Sequence, residues 1–190
     1  MASRSSRIEE DGNVLRLDLP AAHSAGRMAR EVVRRFALVR GVEKDEISNL
    51  ELITSELLGN AVDHGGGNAA MEESDLSRVV RMSLVLTLDP SGWCLRVSDQ
   101  GGGDPAELEA LIHPVDDIPD LEDERGRGFF LLAQMVDELL VAVSEDGRGL
   151  AFTAVRRFPG AGSRPDSRPD PPSGPPPGPP EAPRGGATSF

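Results

Sequence analysis

From Ile47 the chain places Leu50, Thr54, Leu57 and Ala61 at spacings of three and four, which predicts an amphipathic helix with one continuous apolar stripe. Residues 21–39 carry Met28, Val32, Phe36 and Val39 at similar spacing, with arginines on the other side, and Gly41 closes this earlier helix. Before it, "NVLRLDLP" reads as an edge strand ended by Pro20. The pattern then changes period. In "RVVRMSLVLTLDPSGWCLRVSD", Met82, Leu84, Leu86 and Leu88 share one face, and Trp93, Leu95 and Val97 share one face of a return strand across the turn at 89–92. The opposite faces hold Arg81, Ser83, Thr87, Arg96 and Ser98, so helices should cover the sheet on one side only. A helix at about 127–138 presents Phe129, Leu132, Ala133 and Val136, and the two last strands meet at Asp146-Gly147, a strong hairpin signal. The expected order is β-α-α-β-β-loop-α-β-β, a two-layer α/β sandwich and not a doubly wound fold.

Composition bounds this picture. The 190 residues suffice for one domain with a hydrophobic core. From Gly160 onward the text holds ten of the sixteen prolines and almost nothing apolar, so 159–190 is expected as a disordered Pro/Gly-rich tail and 1–11 as a flexible start. The tail's arginines and carboxylates balance, which leaves the net charge of −12 on the domain. That charge repels nucleic acid phosphates and anionic membranes. With a single cysteine, Cys94, no apolar signal core in the opening residues and no apolar run long enough to span a bilayer, the chain is expected to be cytoplasmic and reduced, and Cys94 to be a small apolar-like strand residue.

Three short texts carry candidate chemistry. On the helix from Ile47, Glu56, Asn60 and Asp63 fall within a sector of roughly 60° on a second face, with His64 beside it. Asn60 offers a neutral oxygen to a hard cation such as Mg²⁺, and Glu56, one turn earlier, could take a proton from an attacking hydroxyl. In "VSDQGGGDP", Asp99 ends a buried strand before Gly101, Gly102 and Gly103, an arrangement suited to accepting a hydrogen bond from an exocyclic amine such as that of adenine. In "RGRGFFLL", Gly126 and Gly128 open a helix whose N–H groups suit a polyphosphate. Each text alone is weak, because a Glu-x-x-x-Asn pair is usually a solvated face and an Asp-x-Gly-x-Gly usually a turn. Their order and placement make the joint reading. Lys44 is the only lysine and no GxxxxGK[ST] text exists, so P-loop chemistry is excluded and phosphate charge would fall to Mg²⁺, backbone N–H groups, Arg125 and Arg127. His23 reads as a surface residue at a helix start.

Together, "SELLGNAVDH", "DQGGGDP" and "GRGFFLL" resemble the N box and the two glycine boxes of the GHKL superfamily of ATP-binding domains, over roughly residues 12–158. The resemblance implies the Bergerat, or histidine kinase-like ATPase, fold: an α+β sandwich of a mixed, mainly antiparallel sheet with helices on one face and a lid at about 104–125. Within the superfamily the chain looks most like bacterial anti-sigma factor serine/threonine kinases. Carried over by position, Glu56 is the catalytic base, Asn60 the Mg²⁺ ligand and Asp99 the adenine contact of an ATP site. Gly101, Gly103, Gly126 and Gly128 shape its pocket, Arg125 and Arg127 approach its phosphates, and Asp63 and His64 are expected to join them in binding the nucleotide. The implied partners are a sigma factor and a STAS-type anti-anti-sigma protein phosphorylated on Ser or Thr, with a homodimer left open. The region 104–124 departs from expectation, with nine carboxylates and no Lys or Arg. That favours a second reading, a nucleotide-gated regulator with little or no catalysis, whose acidic loop docks a basic partner. A sensor histidine kinase fits less well, since no phosphoacceptor hairpin precedes the domain in this sequence.

Overall fold

Strands β3 (Arg81–Asp89) and β4 (Gly92–Ser98) form the hairpin that the period-two pattern predicts. Its register sets Leu84 opposite Val97, Leu86 opposite Leu95 and Leu88 opposite Trp93. Large apolar side chains therefore meet on one face, and all of them are buried there. Asp89 stabilises the turn by accepting the Ser91 N–H at 2.6 Å.

A computed structural model describes residues 6–63, 80–101, 103–112 and 124–158. Around the central hairpin, β2 (Val14–Pro20) pairs with β3, β6 (Leu150–Arg157) pairs with β4, and β5 (Glu138–Val143) pairs with β6. With β1 (Arg7–Asp11) beside β2, the sheet has the order β1-β2-β3-β4-β6-β5. All five pairings are antiparallel, so among the described residues the sheet lacks the parallel component that a mixed sheet would have.

Two expectations about the start of the chain are corrected. Arg7–Asp11 is not a loose start but strand β1, paired from Arg7 opposite Asp18 to Asp11 opposite Val14. β2 is consequently an inner strand and not an edge. All five residues of β1 are exposed, so it leaves no apolar periodicity to read; backbone hydrogen bonding and the Asp11-Gly12 turn, with Gly12 at φ 54°, define it.

The helical layer is α1 (His23–Val39) and α2 (Lys44–Asp63). The predicted α2 stripe is buried throughout, joined by Ile53, Leu58 and Val62. The predicted α1 stripe is not: Met28 is 37% exposed and Val39 74%, while Ala25, Ala29, Val33, Phe36 and Ala37 face the core. Small residues on that face let α1 approach α2 closely, and this contact overrides the bulkier stripe. Gly41, at φ 76°, ends α1 with the Val42 N–H bonded to the Ala37 carbonyl at 3.2 Å and its own N–H to Leu38 at 3.1 Å. This is the glycine stop expected from the sequence.

Helix α3 (Pro105–Ile112) occupies the first part of the region expected as a lid loop, and its Leu108 and Ile112 are buried. The rest of that region up to residue 123 and the tail from residue 159 lie outside the described residues. Helix α4 (Glu124–Met135) starts about three residues earlier than expected, so Gly126 and Gly128, expected to open the helix, sit within its first two turns. Phe129 anchors α4 by stacking on Phe152 of β6 at 5.2 Å between ring centroids. The face of the sheet away from the helices carries the half-buried Arg81, Ser83, Thr87, Cys94, Arg96 and Ser98, in keeping with the one-sided layering predicted.

Candidate nucleotide site

Helix α2 supplies the first part of the site. Its buried stripe faces the sheet, which turns Glu56 to solvent and leaves Asn60, one turn later, half-buried. Glu56 looks toward α4: a Cβ built on Gly128 would lie 3.9 Å from Glu56 Oε2. The structure thus brings the proposed base on α2 beside Gly128 of the second glycine text on α4. Asp63, at the end of α2, takes a different partner: its Oδ1 lies 3.1 Å from His23 Nε2 of α1. His64 lies outside the described residues, and so do the side chains of Arg125 and Arg127; only the helical backbone of residues 125–127 is described.

The second part stands at the end of β4. Asp99 is 6% exposed, and its Oδ1 accepts the N–H groups of Gly101 at 3.0 Å and Leu150 at 3.1 Å. Among the described residues no donor reaches Oδ2. Burial pushes the Asp99 carboxyl above the usual aspartate range; the two backbone hydrogen bonds oppose that shift, and the nearby Asp146 charge adds to it. A mostly buried carboxylate with one oxygen occupied by backbone donors and the other open at the surface is suited to a neutral or cationic N–H of a ligand. Gly103, at φ 132°, packs so closely on Leu150 that a Cβ would come within 2.9 Å of its Cδ1. The glycine text is therefore folded back onto the strand that holds Asp99.

A family model described as the histidine kinase-like ATPase domain matches residues 19–154. The chain belongs to this family. Its ATPase domain is similar to anti-sigma F factors of Geobacillus stearothermophilus and Geobacillus kaustophilus, each 28% identical over 137 residues that cover 72% of this chain and 87% of the relative. Among solved structures, a chain of the SiaB–SiaC complex from Pseudomonas aeruginosa shares the fold, with a TM-score of 0.57 and 15% identity over 75% of this chain and 91% of that one.

Within this ATPase domain the sequence reading did not find the residues that hold Asp99 in place. Gly149 of the β5–β6 turn lies directly against Asp99, and a Cβ there would fall inside the van der Waals envelope of its Oδ1 and backbone carbonyl. Ser144, Asp146 and Gln100 join the same cluster. The only local signal was Asp146-Gly147, which reads simply as a turn; the neighbourhood with Asp99 is created by the pairing of β4 with β6. Burial pushes the Cys94 thiol up, which suits an inert strand residue and not a nucleophile. No cluster of three or more acidic, His or Cys ligands occurs among the described residues, and none of their helices is long and apolar enough to cross a membrane. A single half-buried Asn60 fits the way Mg²⁺ binds nucleotides, keeping most of its waters and the phosphates as ligands.

Proposed function

We propose that this ATPase domain binds Mg·ATP and acts as an anti-sigma regulator, transferring the terminal phosphoryl group to a Ser or Thr of a STAS-type anti-anti-sigma protein and sequestering a sigma factor. The observation that carries the reading is the approach of Glu56 to Gly128, which sets a solvent-facing carboxylate beside the first turns of α4. Helix N-termini favour anions, so the polyphosphate would lie at the start of α4 with Asn60 reaching the metal and Asp99 the adenine amine. Glu56 would accept the proton of the attacking hydroxyl as the new P–O bond forms and the bond to the ADP oxygen breaks. The likeness to anti-sigma F factors supports the choice of partners.

A second reading rests on the acidic residues 104–124, which carry no Lys or Arg to meet the transferred phosphate. On this reading the nucleotide sets a conformation and the acidic segment docks a basic partner. Glu56→Gln separates the two, since it keeps the size of the side chain and removes the base. A kinase loses about 10²- to 10⁴-fold in phosphoryl transfer and still binds Mg·ATP. Transfer to co-purifying proteins, followed with labelled ATP in the presence and absence of Mg²⁺, is the measurement. Absence of transfer by the wild type, with partner regulation unaltered in Glu56→Gln, would select the regulator without catalysis.

A further inference from the structure

We propose that Asp146 and Gln100 are positioning residues that hold the Asp99 carboxylate in the orientation that recognises adenine, so that the β5–β6 turn sets base specificity. This rests on the reading of Asp99 as the adenine contact.

The connections form a closed chain. Asp146 Oδ1 accepts the Ser144 hydroxyl at 2.7 Å and the Arg148 N–H at 3.1 Å. Ser144 Oγ in turn accepts the Gly149 N–H at 3.0 Å. That bond presses the bare Gly149 backbone against Asp99, whose own N–H is bonded to the Leu150 carbonyl at 2.9 Å. Asp146 Oδ2 accepts the Gln100 side-chain amide at 3.0 Å, and Gln100 Oε1 accepts the Arg81 N–H at 3.2 Å. The residue after Asp99 is thereby tied to the start of β3 on one side and to the β5–β6 turn on the other. Rotation of the Asp99 carboxylate would displace Gly149 or break the bonds from the Gly101 and Leu150 N–H groups. A turn needs an Asp only for the Oδ1 bonds within 144–148; the Oδ2 bond to Gln100 does nothing for the turn and serves the strand that ends at Asp99.

The geometry permits a swap. In Asp146→Asn, Oδ1 can keep its turn bonds while the new amide faces the Gln100 amide, donor against donor. Adding Gln100→Glu restores the bond with its direction reversed, the Asn amide donating to the Glu carboxylate, which still accepts the Arg81 N–H. Net charge returns to that of the wild type.

The experiment measures affinity of the full chain for Mg·ATP and Mg·inosine triphosphate, which differ at the 6-position, an amine in one and an oxygen in the other. Wild type prefers ATP, and Asp99→Asn abolishes most of the preference. Asp146→Asn lowers ATP affinity about tenfold, the order expected for one charge-assisted hydrogen bond, and inosine triphosphate affinity less than twofold; the swap variant recovers the preference. A general weakening of the fold would lower both affinities together. Parallel losses in Asp146→Asn, or failure of the swap to recover the ratio while Asp99→Asn does change it, would overturn the positioning role alone. A ratio unaltered in Asp99→Asn would overturn the adenine contact itself, and the positioning role with it.

Discussion

Glu46 and Asp99 lie at opposite ends of β4, both largely buried, and their surroundings differ in one respect. Glu46 has both oxygens occupied: Oε2 accepts the Trp93 indole N–H and Oε1 the Arg156 guanidinium, each at 3.3 Å. Arg156 also reaches Asp137 at 3.8 Å, so Glu46 has a cation within the protein, shared with a second carboxylate. Asp99 has no cation among the described residues and two backbone N–H groups on a single oxygen. A carboxylate whose burial is fully compensated has nothing left to offer a ligand and serves the fold. One compensated by half costs the fold stability and keeps binding capacity, the usual sign of a functional group.

Truncating each carboxylate should separate the two roles. Asp99→Ala is expected to lower Mg·ATP affinity about 10- to 100-fold, the range of a hydrogen bond to a charged group, with the domain still folded; calorimetric titration checks it. Glu46→Ala should leave ATP affinity within about twofold but lower stability by about 2 kcal/mol in urea, because it strands the Trp93 N–H and leaves the partly exposed Arg156 with only the longer contact to Asp137. The comparison breaks if both losses appear in the same variant.

The pH dependence has a definite sign. The Asp99 carboxyl is raised in the folded state above its ordinary 3.8, so between that value and the raised one the folded protein binds more protons than the unfolded chain. Stability then falls as pH rises through that window, and the full deficit remains above it. Asp99→Asn should accordingly melt higher than wild type at neutral pH, with the gap closing as pH drops below the ordinary aspartate value. A gap independent of pH between 3 and 7, read by thermal unfolding, would show that burial is not the cause.

The smallest effect concerns Thr54, which is fully buried on the α2 stripe and whose Oγ1 has no hydrogen-bond partner among the described residues. It is compensated neither as Glu46 is nor placed to bind as Asp99 is. Thr54→Val keeps the shape and removes the hydroxyl, so stability should rise by about 1 kcal/mol, with no change in ATP affinity. A loss in urea unfolding would mean that the hydroxyl has a partner.

Local periodicity determined most of the architecture. The buried stripe of α2, the β3–β4 hairpin with its apolar face, the Gly41 stop and the Asp146-Gly147 turn follow from spacings of two, three and four residues and from glycine's conformational freedom, which neighbours in sequence suffice to encode. The same spacing put Glu56 and Asn60 on one helix face. What the chain could not encode locally was which of two plausible α1 stripes would win: Met28 and Val39 against Ala25, Ala29 and Ala37 was decided by how closely α2 could approach. β1 escaped notice because an exposed strand is held by backbone bonds to β2 and needs no apolar pattern. The surroundings of Asp99 were also set by tertiary structure. Leu150 donates to it from 51 residues away, and Gly149 meets it only because β4 and β6 pair in one register. A hydrogen bond of that span depends on strand pairing and leaves no trace in the spacing of residues near either end.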